Sequence, residues 1–202
     1  RGEGVRVNLI YDSFGCITTP RSFFDRLELG GIQVLEFNPI NPLEVGTKPW
    51  RLNNRDHRKL LVVDGRIAFV GGINISKVYS SNPFSRTSRN KQNKGTAGWR
   101  DIHAAIEGPV VAEFQNLFLD TWHSQEGPPL DQQKFFPPLG QQGEEIVRAI
   151  GSVSNDPKSP NYLTLMSAIS HAEREVNMTI AYFAPDEQLR TALEDATQRG
   201  VV

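Results

Sequence analysis

Leu60, Leu61, Val62 and Val63 form one apolar run, Ile67, Ala68, Phe69 and Val70 another, and the dipeptide Asp64-Gly65 stands between them. Asp-Gly tolerates positive φ at both positions, as the tightest hairpin turns require, so the pattern dictates two antiparallel strands. The first strand is reached through Asn54-Arg55-Asp56-His57-Arg58-Lys59. His57 and Lys59 stand two apart, and strand periodicity therefore puts their side chains on one face.

The flanking sequence supplies further elements. Val5, Val7, Leu9 and Tyr11 alternate as in a mostly buried strand, and Phe23, Phe24 and Leu27 recur at helical spacing before Gly30-Gly31. Ile32, Val34, Leu35 and Phe37 predict a second strand, closed by Asn38-Pro39 and Asn41-Pro42. Residues 102–106 predict a short strand, and Val110, Val111, Phe114, Leu117, Phe118 and Trp122 one face of an amphipathic helix. Residues 80–98 are polar and read as a long mobile loop, and Gln, Pro and Gly dominate residues 123–145, which read as a linker. Beyond it, Tyr162, Leu165, Met166 and Ile169 predict a helix, residues 176–183 a strand, and Leu189, Leu193 and Ala196 a last helix. The stretches Arg1-Gly2-Glu3-Gly4-Val5 and Gln198-Arg199-Gly200-Val201-Val202 share a stop-then-strand pattern, which suggests a two-repeat protein cut at equivalent points. The expected organisation is a first lobe over 1–122, a linker over 123–145 and the beginning of a second lobe over 146–202.

Composition excludes several classes. No stretch approaches ~18 uninterrupted apolar residues, so no transmembrane helix is expected in residues 1–202. No basic region followed by an apolar one opens the stretch, so no signal peptide is expected in it. Cys16 is the single cysteine, which leaves no intramolecular disulfide and no Cys-rich zinc site; it reads as a small buried residue. No metal or cofactor is expected.

The 202 residues carry 22 Lys+Arg and 23 Asp+Glu, a formal charge of −1. Between Lys48 and Arg100, however, twelve basic residues face only Asp56 and Asp64, which leaves +10 there and −11 elsewhere. Such a segment favours anionic ligands whatever the total. Over 85–94 the blander reading, a solvated basic loop, fits the composition; over 51–66 the charges are woven into a strand pattern. Trp50, Phe84 and Trp99 border the basic region, where they suit a lipid interface or ordinary packing.

An imidazole and an ammonium side by side repel unless an anion stands between them, and a phosphate meets that need. Lys59 offers donors and charge, and His57 either attacks phosphorus or protonates a leaving oxygen. Gly71 and Gly72 are expected to present backbone N–H groups to the same phosphate, with Asn74 adding an amide donor. The competing explanation is an exposed basic strand end with a turn aspartate. Asp101 and His103 alternate on their strand and are expected near the site, Asp101 as a group that orients His57; for His103 a hydrogen bond to a neighbour is the commoner role. His123 reads as a cation at a helix C-terminus and His171 as part of a solvated helix face.

His57-x-Lys59-x4-Asp64 with Gly71-Gly72-x-Asn74 resembles the HKD motif of the phospholipase D superfamily. Phe37-Asn38-Pro39, the run from Asp56 to Gly65, Gly71 to Ile75, Trp99-Arg100-Asp101, Glu107-Gly108-Pro109 and Ala181 to Asp186 resemble bacterial cardiolipin synthases and their close relatives. The resemblance implies an α/β fold, a phospholipase D-like mixed sheet flanked by helices, with one lobe and the start of a pseudo-symmetric second. It implies phosphatidyl transfer through a phosphohistidine, most nearly cardiolipin synthesis from phosphatidylglycerol. His57 would be the nucleophile, Lys59 and Asn74 phosphate ligands, and Asp64 the acidic member of the motif, acting through the fold or through hydrogen bonds behind the site. The family pairs two HKD motifs, and this sequence holds one: His103, His123 and His171 lack the lysine spacing. A second lobe, from a longer chain or a dimer partner, is therefore expected, and residues 1–202 alone should be inactive or nearly so. The implied partners are an anionic phospholipid and a membrane surface, with the bacterial inner membrane as location, reached peripherally or through segments outside this stretch. Two alternatives stay open: a homodimeric nuclease, for which nucleic acid would be the partner, and a non-catalytic module that binds anionic lipid.

Overall fold

A computed structural model describes residues 4–41, 54–75, 101–152 and 159–202, so the expected loop over 80–98 and Trp50, Phe84 and Trp99 lie outside the described residues. The chain divides into two compact units, Arg1–Ala149 and Ile150–Val202.

In the first unit, β1 (Asn8–Asp12) and β2 (Gln33–Phe37) pair in parallel, with Asp12 opposite Phe37. A parallel pair needs a crossover, and α1 (Arg21–Leu29) supplies it. Its Phe24 is buried and stacks on Tyr11 with ring centroids 3.8 Å apart. Gly31, at φ 83°, ends the crossover: Ile32 N–H donates back to Leu27 O (3.1 Å), the six-to-one bond of a left-handed helix stop, and Gln33 N–H then donates to Val7 O (3.0 Å). Val5 and Val7 are exposed, so the strand expected from Val5 begins later and is only half-buried.

The predicted hairpin is present. β3 (Leu60–Val63) and β4 (Ile67–Gly71) pair antiparallel around Asp64 and Gly65, at φ 54° and 64°, and β5 (His103–Glu107) adds a third antiparallel strand to β4. Leu60, Val62, Ala68, Val70 and Ile106 turn one sheet face onto α2 (Val111–Ser124), where Val111, Phe114 and Trp122 are buried. Residues 125–149 hold no helix or strand, yet they pack on this unit. The Trp122 indole N–H donates to Pro128 O (2.8 Å), Leu139 and Ala149 join the core, and Phe135 O lies against the Gly65 turn.

The second unit packs α3 (Pro160–Ser170) on α4 (Glu187–Gln198) around Ile169, Leu189, Ala192, Ala196 and Val201. Asp186 caps α4 by accepting from Leu189 N–H (2.8 Å), and Tyr162 donates its hydroxyl to the same carboxylate (2.7 Å). His171 is the residue just past α3 rather than part of its face. The expected strand over 176–183 does not form. Among the described residues it has a partner only at its start, where Val202 N–H donates to Arg174 O (3.0 Å) and Val176 N–H to Val202 O (2.9 Å). Val176 packs on the core of the unit, but beyond it the alternation meets no adjacent edge among the described residues, and Ile180, Tyr182 and Phe183 are exposed. The α/β composition expected from the sequence is present, as one parallel and one antiparallel sheet with four helices among the described residues.

Candidate active site

The start of β3, the end of β4 and the start of β5 meet at one end of the antiparallel sheet, and His57 and Lys59 lead into it. Asp56 and Arg58 turn toward α2: Asp56 accepts from Arg58 N–H (2.9 Å), Nε (2.9 Å) and Nη2 (2.8 Å), and Nη2 also donates to Thr121 Oγ1 (2.7 Å). With 56 and 58 so engaged, His57 is exposed and Lys59 half-buried. The Lys59 ammonium donates to the His57 carbonyl (2.5 Å). Burial lowers the Lys59 pKa below the ordinary lysine value, and the carboxylates of Asp56, Asp101 and Asp12 act against that shift. An anion at the ammonium would act in the same direction as those carboxylates.

Gly71 and Gly72 are needed here for a different reason from the expected one. Gly71 N–H donates to Lys59 O (3.4 Å) and Gly72 N–H to Ile102 O (3.0 Å), so both donors serve the sheet rather than a phosphate. The glycines provide clearance instead. A Cβ at Gly72 would lie 1.9 Å from Asp101 Oδ1, and one at Gly71 would lie 2.2 Å from Ile102 O and 2.8 Å from His103 Nδ1. Asp101 and His103 therefore reach this end of the sheet because residues 71 and 72 have no side chains. His103 Nδ1 is buried and makes no hydrogen bond among the described residues, contrary to the satisfied strand histidine expected.

Asn74 follows β4 as an exposed residue on the same side of the hairpin as the site. Asp64 is placed elsewhere. It sits in the hairpin turn at positive φ, a full strand of ~3.4 Å per residue away from Lys59. The expectation gave it a role through the fold or through hydrogen bonds behind the site, and its place is in the turn, where Asp is tolerated because its short side chain accepts the left-handed region.

Two residues that the sequence reading did not single out join this site. Asp12, the last residue of β1, accepts from Asp56 N–H (3.1 Å), and Asn38, just past β2, donates its amide to Asn54 O (2.6 Å). Cys16 is partly buried, and burial together with Asp12 and Glu36 raises its thiol pKa. His123 lies exposed in the last turn of α2. Among the described residues no cluster of three or more His, Cys, Asp or Glu is arranged to hold a metal, and no helix is long and apolar enough to cross a membrane.

No family model matches the chain. Curated relatives do. It is 30% identical over 201 residues to a probable cardiolipin synthase of Bacillus subtilis, 33% over 205 residues to cardiolipin synthase A of Pseudomonas putida, and 29% over 201 residues to a cardiolipin synthase of Geobacillus kaustophilus. Each alignment takes in 98% of this chain, which spans only 37–38% of those relatives' length. The similarity is therefore to a segment of bacterial cardiolipin synthases.

Proposed function

We propose that the protein transfers a phosphatidyl group at a phosphodiester, with cardiolipin synthesis from phosphatidylglycerol as the reaction. The observation that carries this reading is the similarity to cardiolipin synthases over 98% of the chain. The site is compatible with it: an exposed imidazole stands two residues from a half-buried ammonium, beside a sheet end built from the same motif.

In the proposed reaction a nitrogen of His57 attacks phosphorus while Lys59 and Asn74 hold the phosphate oxygens. The bond from phosphorus to the glycerol oxygen breaks, and glycerol leaves with a proton from a second histidine. That histidine then takes the proton from a hydroxyl of a second phosphatidylglycerol, whose oxygen displaces His57 from phosphorus and gives cardiolipin. Two imidazoles in opposite protonation states are needed, and the second belongs to another HKD lobe, on a longer chain or on a partner copy. Asp101 orients His57, and Asp64 keeps the hairpin turn. Residues 1–122 are the first lobe, joined through 123–145 to the beginning of the second over 146–202. The membrane surface is the place of reaction, at the bacterial inner membrane.

The test uses the native full-length polypeptide with phosphatidylglycerol vesicles. Cardiolipin and glycerol should form in equal amounts, and His57→Ala or Lys59→Ala should lower the rate at least ~10³-fold. Plasmid cleavage in EDTA without lipid turnover would replace this reading by the nuclease. Vesicle binding that survives both substitutions, with no turnover in the wild type, would replace it by the lipid-binding module.

A further inference from the structure

His57 belongs to no strand, since β3 begins three residues later at Leu60. An in-line attack nevertheless needs its reacting atom held within ~0.5 Å, so the backbone before it must be fixed by something other than a ladder. Three hydrogen bonds tie that segment to the carboxyl ends of β1 and β2. Asp56 N–H donates to Asp12 Oδ2 (3.1 Å). Asn38 Nδ2 donates to Asn54 O (2.6 Å), and Arg55 Nη1 donates to Asn38 O (2.8 Å).

Both anchoring residues are themselves held. Asp12 Oδ1 accepts from Gly15 N–H (2.8 Å), which sets the carboxylate's orientation. Asn38 stands at φ 44°, in the left-handed region, and its N–H donates to Gln125 Oε1 (3.1 Å). A non-glycine residue at that φ costs free energy, and Asn carries it more easily than most. The conformation aims the amide at residue 54. Asp12 presents a second puzzle, a carboxylate near a site that would bind an anion. Both of its oxygens accept backbone N–H groups, which explains why a carboxylate stands there.

We propose that Asp12 and Asn38 are positioning residues for His57, a clamp from the ends of the parallel strand pair that fixes residues 54–56 and so the direction in which the imidazole leaves the backbone. This rests on the reading of His57 as nucleophile. Open parallel sheets commonly place sites beyond the carboxyl ends of their strands. Here that edge shapes the site through backbone tethers rather than by contact with substrate.

The experiment compares Asp12→Asn and Asn38→Gly in the native full-length polypeptide. Asp12→Asn keeps the shape and replaces an acceptor by a donor. Asn38→Gly suits the positive φ and keeps the carbonyl that Arg55 reaches, so it removes the amide tether alone. Amide hydrogen exchange should rise at least ~10-fold over residues 54–57 and stay within ~2-fold in β1 and β2. The kcat for phosphatidyl transfer should fall ~10-fold or more with KM within ~2-fold. Asn38→Asp, which keeps the backbone preference but sets an acceptor against Asn54 O, should lose at least as much. Unchanged exchange over 54–57, exchange rising equally through β1 and β2, or a rise in KM at constant kcat would overturn the clamp. A wild-type protein without phosphatidyl transfer would instead overturn the functional reading. Exchange over 54–57, with the rate of His57 acylation by diethyl pyrocarbonate, would then decide the clamp alone.

Discussion

Both units of the chain contain a helix that stops in the same way, but the chain beyond the stop has a different fate in each. α1 ends at Gly31 and α4 at Gly200, with φ of 83° and 87°, and each stop carries a six-to-one bond of 3.1 Å, from Ile32 to Leu27 and from Val201 to Ala196. Two residues past each glycine the backbone bonds to a segment before the helix: Gln33 to Val7 and Val202 to Arg174, both at 3.0 Å. In the first unit that bond opens a five-residue parallel ladder, and Asp12 at its far end reaches the site. In the second, residues 176–183 carry the better apolar alternation and form no strand. The local stop is encoded within a few residues, whereas the strand needs a neighbour to receive it.

Four expectations break or sharpen that comparison. The cores should differ most. Trp122→Ala removes a fully buried indole whose N–H is bonded to Pro128 O, and it should cost the first unit about 3–5 kcal/mol in urea denaturation. Ile169→Ala in the second unit belongs to the class that costs about 2–5 kcal/mol, and it should fall below the tryptophan change. The reverse ranking would mean that the smaller unit is the better packed. Gly72→Ala should cost about 1–3 kcal/mol through overpacking against Asp101, and Asp101→Gly in the same chain should restore part of it.

The two stops should then prove equal. Gly31→Ala and Gly200→Ala force alanine into the left-handed region and should each cost about 1–2 kcal/mol; unequal losses would show that the resemblance is only geometric. The smallest effect concerns acid. The Leu189 N–H and the Tyr162 hydroxyl hold the Asp186 carboxyl below its ordinary pKa, so its contribution is present above the unfolded value of ~3.9 and is lost as pH falls through the lower, folded value. Circular dichroism should show α4 fraying in that acid range, and Asp186→Asn should remove the pH dependence while keeping a cap. α1 begins after Pro20, with no side-chain cap, and should lack this transition.

The sequence made the local elements legible. The Asp64-Gly65 hairpin, the helix carrying Phe24, the amphipathic face of α2 and both glycine stops arise from periodicity and turn chemistry within short windows. His57 and Lys59 stood out in the sequence through strand spacing, yet both precede β3, and the contact between them is the Lys59 ammonium on the His57 carbonyl. Asp12 and Asn38 were not, since each acts on backbone at 44 and 16 residues' separation, and a backbone N–H or carbonyl has no signature in the sequence. Gly71 and Gly72 stood out as glycines but not for their purpose, because the side chains that fill their space come from residues 101 and 103. Residues 176–183 show the opposite failure, a pattern present without the partner it needs.

The clearance at Gly72 also has a consequence for how this surface can change by mutation. With 1.9 Å between a would-be Cβ and Asp101 Oδ1, a side chain at 72 and the acid at 101 in its present rotamer compete for one volume. A side chain gained at 72 displaces the exposed carboxylate of Asp101 from its place at the sheet end, whereas a smaller residue at 101 removes that contact. The effect of a substitution at either position therefore depends on which residue stands at the other.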